Sequence, residues 1–132
     1  MSTNKLDQLI QEMEHYVECW KQFSHYIGVA RSKQFTQDDE DQFLEIKSAI
    51  TQQLELILAS LEGGVPPKEE IHQLMSEAPS VRFMSELNEG GIKALENKWH
   101  KLYLGWQSTL GQLKVAQRQA PPRSRWNFFG RK

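Results

Sequence analysis

Seven apolar residues late in the chain, Ile92, Leu95, Trp99, Leu102, Trp106, Leu110 and Leu113, recur at intervals of three and four. Those intervals straddle the 3.6-residue helical turn, so all seven fall on one stripe of an α-helix. A stripe of this length must close against others, and the chain supplies two more. Leu6, Leu9, Ile10, Met13, Tyr16, Val17, Trp20, Phe23 and Ile27 form one, on a helix predicted from Thr3 or Asn4 to about Arg31. Phe43, Ile46, Ile50, Leu54, Ile57 and Leu61 form the other, widened by Leu44 and Leu58. The sequence thus predicts an all-α fold: a bundle of three long amphipathic helices plus one short connecting helix, with an extended C-terminal tail. Residues 1–118 are read as the bundle domain and 119–132 as the tail.

Local signals set the boundaries. A turn is predicted near residues 32–35, with Thr36 as the N-cap of the second helix and Asp39 as its capping-box partner. Asp38, Glu40 and Asp41 place negative charge at the positive end of that helix's dipole. The run Glu62-Gly63-Gly64-Val65-Pro66-Pro67 ends it. A short helix follows from about Pro67 to Glu77, with Ile71, Leu74 and Met75 on one side, and is closed by Ala78-Pro79. Ser80 can cap what comes next. Residues 80–118 then read either as one helix through Val81, Met84 and Leu87, or as a short helix ending at Asn88-Glu89-Gly90-Gly91 and a new one. The helix-weakening glycines favour the break.

The cadence Trp99-x-x-Leu102, with Leu113 farther on and Trp20 in the first helix, resembles the tryptophan-bearing helices of spectrin-type three-helix repeats. The resemblance covers seam positions only, departs from the repeat at the proline-rich interruption, and implies an architecture rather than a function.

Composition narrows the function classes. The 132 residues are 39% hydrophobic and 25% charged, as in a water-soluble globular domain, and no apolar run is long enough to span a bilayer. The N-terminal residues do not read as a secretory signal, and a lone Cys19 suits a reducing compartment, so a cytoplasmic location is expected. The net charge of −1 hides an asymmetry. Residues 1–118 hold 12 Lys and Arg against 17 Asp and Glu, while residues 119–132 hold four cations and no acid.

Helical direction decides the enzyme-like patterns. Glu-x-x-His occurs as Glu12 with His15 and as Glu69 with His72, a spacing used by dimetal helical bundles. At about 100° per residue, however, His15 lies about 145° from the apolar stripe of its helix, and Glu69 lies nearly opposite that of the short helix. These are expected to be surface residues. His15 and Cys19 share a face but fall short of a four-ligand zinc set, and His25 and His100 have no convincing partners. The Asp38–Asp41 cluster lacks the spacing of a calcium loop. No nucleophile elbow or phosphate-binding loop appears. No catalytic residue, cofactor or metal is expected.

Leu56 and Leu104 point away from their helices' main stripes, either as scattered surface leucines or as parts of a second contact face. The tail is the other candidate. Beyond Ala120-Pro121-Pro122 it carries Arg123, Arg125, Trp126, Phe128, Phe129, Arg131 and Lys132. Three aromatics left in water carry a hydration cost, so a cover is expected. Four covers are open: the chain's own bundle, a protein partner or sister chain, an anionic membrane surface, or nucleic acid bases. The partner or sister chain is the leading expectation and the membrane surface the runner-up. Nucleic acid is disfavoured because the acidic body repels phosphate.

Overall fold

The computed structural model describes residues 3–61 and 66–119. They form five helices: α1 (Thr3–Ser32), α2 (Gln37–Ser60), α3 (Lys68–Glu77), α4 (Val81–Ser85) and α5 (Glu89–Arg118). The fold is all-α, with no strand among the described residues. Of the tail, residues 120–132 lie outside the described residues, as do residues 62–65 of the glycine-proline run.

Capping chemistry places the breaks. Helix α1 stops at Ser32 because Lys33 adopts the left-handed conformation at φ 61° and donates its N–H to the Ala30 carbonyl at 3.0 Å. Thr36 then caps α2 through a reciprocal box: Asp39 N–H donates to the Thr36 hydroxyl at 3.1 Å, and Thr36 N–H to the Asp39 carboxylate at 2.9 Å. Between α2 and α5 the connection is two short helices: the single connecting helix expected, and the second that a break within residues 80–118 implies. The later break also falls upstream of the glycines. The Asn88 side chain accepts the Gly91 N–H at 2.7 Å and starts α5, so Gly90 and Gly91 sit in its first turn. Backbone donors there need a cap whatever the residue, which is why the cap rather than the glycines sets the boundary.

Helix α1 lies at the centre and packs on α5, α2 and α4, while α3 packs on α5 and α4 on α2. Its Met13, Tyr16, Trp20 and Phe23 are fully buried. Tyr16 meets Trp106 of α5 edge to face at 5.0 Å and donates its hydroxyl to the Ile50 carbonyl of α2 at 3.3 Å. The Trp99 indole N–H reaches back to the Trp20 carbonyl at 2.8 Å, and Phe23 packs on Phe43 at 5.2 Å. All three predicted stripes turn inward, with two amendments. Tyr26, Ala30 and Thr109 are also buried, and Leu44, expected to widen the α2 face, is 48% exposed.

Long-range contacts hold α4 in place. Glu40, in the first turn of α2, accepts the N–H groups of Val81 and Arg82 at 2.9 Å each, while Ser80 accepts that of Phe83 at 3.0 Å. One carboxylate thus satisfies two of the orphan donors at the α4 N-terminus, and the Lys33 ammonium donates to the Ser85 carbonyl at its other end. Replacing Glu40 with Ala should lower unfolding free energy by about 1.5–3 kcal/mol in urea titrations, the range for hydrogen bonds to a charged group.

A glycine sets the approach of α5 to the chain before α3. A Cβ built on Gly105 would lie 2.8 Å from Cγ of the Pro66 ring, whereas one on Gly111 meets nothing within 4 Å. Gly→Ala inside a helix ordinarily stabilises by about 1 kcal/mol. Gly111→Ala should therefore raise the melting temperature and Gly105→Ala should lower it, because a proline ring cannot swing aside as a flexible side chain does. Equal shifts in both variants would contradict the close approach.

Burial of the Tyr16 phenol pushes its pKa up, partly offset by the nearby Trp20 indole. The unfolded chain ionises this tyrosine near pH 10 while the folded chain keeps it protonated. Its contribution to stability is therefore complete below about pH 10 and falls above it by about 1.4 kcal/mol per pH unit. Urea midpoints followed from about pH 9 to about pH 12 should fall less steeply in Tyr16→Phe than in the parent chain.

Candidate functional site

Beside its contact with α2, α1 carries a polar strip that stays open. Lys5, Gln8, Glu12, His15, Cys19 and Gln22 form it at intervals of three and four, a second stripe about as regular as the apolar one. Opposite them α2 presents Asp41, Glu45, Ala49, Gln53, Leu56 and Ser60. The two rows wall an open furrow in three stretches of about 460, 500 and 620 Å³. Neighbouring stretches share residues: Gln8 and Glu12 join the first two, and His15 joins the second to the third.

The furrow is acidic at its far end, where Glu18, Asp38, Asp41 and Glu45 line it with no Lys or Arg. Five cations elsewhere among the described residues pair across helices. Arg31 of α1 bonds Glu96 and Glu89 of α5 at 2.6 and 3.1 Å, and Lys114 of α5 pairs with Glu14 of α1 at 3.1 Å. Lys98 and Lys101 of α5 pair with Glu77 and Glu70 of α3, and Lys68 pairs with Glu55. Hydrogen bonds from Lys98, more than its field, hold the Glu77 carboxyl below its usual pKa. No such pair joins α1 to α2 among the described residues. The one cation of α2, Lys47, lies 5.8 Å from the Phe43 ring centroid rather than in the furrow. Glu18 approaches Lys21 of its own helix at 3.8 Å, and Asp38 and Asp41 accept side-chain amides of Gln42 and Gln37.

Glu12 and His15 meet on the furrow wall and, like Glu69 and His72 on α3, are exposed. Among the described residues no group of three or more His, Cys, Asp or Glu could hold a metal ion. Burial, and secondarily the charge of Glu18, push the Cys19 thiol up, the wrong direction for a thiolate nucleophile. Leu56, 70% exposed, stands at the furrow's edge as an uncovered apolar foothold. Leu104, 53% exposed, does not join it, sitting three turns from the exposed Val115 on the outer face of α5.

The predicted docking residues Arg123, Arg125, Trp126, Phe128, Phe129, Arg131 and Lys132 lie outside the described residues. Sequence reasoning missed the furrow, although the polar heptad from Lys5 to Gln22 carried its trace. It also missed Phe83, 46% exposed on α4. Among the described residues no helix is long and apolar enough to cross a membrane. No family model, curated protein or solved structure matches the chain.

Proposed function

We propose that the chain is a non-enzymatic, cytosolic interaction module that docks a protein partner. In this reading residues 1–118 are a rigid helical body of three long helices and short connections, and residues 119–132 are a linear docking element. Trp126, Phe128 and Phe129 are the apolar anchors, while Arg123, Arg125, Arg131 and Lys132 steer the encounter. The observation that carries the reading is the surface chemistry of the body. Its enzyme-like residues face water, and Leu56, 70% exposed, borders an open furrow rather than an enclosed cavity. A peripheral membrane adaptor using the same tail is the second reading, favoured by the tail's pairing of aromatics with cations and no acid.

Affinity capture with the full chain as bait tests the proposal against a full-length variant carrying Trp126→Ala, Phe128→Ala and Phe129→Ala. Each buried aromatic anchor typically contributes about 2 kcal/mol, so the variant should lose at least about tenfold in captured partner while its far-ultraviolet helicity stays unchanged. Undiminished capture would remove the tail from the mechanism. Aromatic-dependent sedimentation with phosphatidylserine vesicles, without protein capture, would select the membrane reading.

A further inference from the structure

We propose that the furrow between α1 and α2 is the seat of the chain's own C-terminal segment, residues 123–132, which docks there in cis. The inference rests on the reading of that segment as a docking element and adds where it rests and what holds it.

Four observations converge on this occupant. The first is the point of departure. Helix α5 ends at Arg118, beside the start of α1: Gln117 donates its side-chain amide to Asp7 at 2.7 Å, and Lys114 pairs with Glu14 at 3.1 Å. The end of the furrow walled by Lys5, Gln8, Ala59 and Ser60 opens at that same end of the helix array.

Reach is the second. Thirteen residues follow Gln119, and at about 3.3 Å each an extended path covers up to about 43 Å. The furrow from Lys5 to Gln22 follows α1 for about 26 Å at 1.5 Å per residue. Ala120, Pro121 and Pro122 can span the width of α1, about 10 Å, because proline favours an extended path. The next ten residues, up to about 33 Å when extended, then more than cover the furrow's length.

Charge is the third. Glu12, Asp38, Asp41 and Glu45 have no ion pair among the described residues, and the segment brings four cations with no acid. Running parallel to α1, the segment places Arg123 and Arg125 toward Glu12, and Arg131 and Lys132 toward Asp38, Asp41 and Glu45. The fourth is the apolar register. The same path sets Trp126 and Phe128, which share one side of an extended segment, over the middle stretch, where Leu56 is uncovered and Ile57 forms the floor.

Tethering decides between cis and trans. A short connection holds the segment at an effective concentration in the millimolar range, above that of a second chain at micromolar concentration. A partner must then compete with the seated segment, which makes the seat an intramolecular brake on docking.

Photo-crosslinking in the full chain tests the seat, with Phe128→p-benzoylphenylalanine as the probe and mass spectrometry to map the products. The expected result is a crosslink within one chain to residues 8–15 of α1 or 53–57 of α2. Crosslinks to α3 or the outer face of α5, crosslinks formed only between chains, or no crosslink at all would each overturn the proposal. Adding Asp41→Lys and Glu45→Lys to the probe-bearing chain should cut the yield by about tenfold, two ion-pair reversals' worth. An unchanged yield in a folded variant also overturns it. Should that variant not fold, salt gives the same reading in the unaltered body: from about 0.1 M to about 1 M the Debye length shrinks from about 10 to about 3 Å, and the yield should fall. Aromatic-dependent partner capture without the crosslink removes only this seat, whereas the crosslink without such capture leaves a structural tail and removes the docking function.

Discussion

Everything in this fold is arranged around the burial of one face of α1. Tyr16, Trp20 and Phe23 are fully buried, and each touches an aromatic ring of another helix or of its own. Fully burying side chains of this size is worth roughly 1.5–3 kcal/mol each by area, and truncating one to Ala typically costs about 3–5 kcal/mol. Packing α5, α2 and α4 on α1 covers that face and leaves open, beside α2, the polar strip from Lys5 to Gln22. The furrow is therefore a by-product of the core: the aromatics that draw the helices together leave the polar flanks of α1 and α2 uncovered beside their contact.

That core favours area over complete hydrogen bonding. The Trp99 indole finds the Trp20 carbonyl, but the indole N–H groups of Trp20 and Trp106 are buried without a hydrogen-bond partner among the described residues. Trp20 lies near the Tyr16 oxygen, close enough to act on its ionisation without reaching hydrogen-bond geometry. An unsatisfied buried donor costs about 1–3 kcal/mol, and edge-to-face ring contacts return about 0.5–1.5 kcal/mol each beyond burial. Tyr16 makes two such contacts, with Trp106 and Trp20, and these offset much of that cost.

How much of this was legible in the sequence follows from the range of each interaction. The three stripes were readable because helical periodicity is local, and the Thr36–Asp39 box because both partners lie within four residues. Leu44 was misassigned because spacing alone does not say where an apolar face ends. The break before α5 was placed at the glycines because their propensity is visible, while the geometry of the Asn88 cap is not. Glu40 read as a charge at the start of its own helix, yet its carboxylate also caps a helix 41 residues away, a pairing no local pattern encodes. The furrow was hidden for the same reason, since its walls are brought together only by tertiary packing. Its two rows look like ordinary solvated faces when read one helix at a time.

The distribution of ion pairs gives the furrow its character. Lysines and arginines on α1 and α5 meet carboxylates across the interfaces of α5 with α1 and with α3, so those faces are electrically matched. Helix α2 carries six acids and one cation, and that cation is turned to the Phe43 ring. Exposed pairs are worth only about 0–1 kcal/mol apiece, so the matching is not what holds α5 on α1, nor does its absence part α2 from α1. What the asymmetry does change is the potential outside the molecule. Neighbouring carboxylates in a concave, partly apolar wall focus their fields where an incoming chain would lie. A segment that brings cations and aromatics together meets both features of that wall at once, whereas an acidic or purely polar segment meets only repulsion or an unfilled foothold at Leu56.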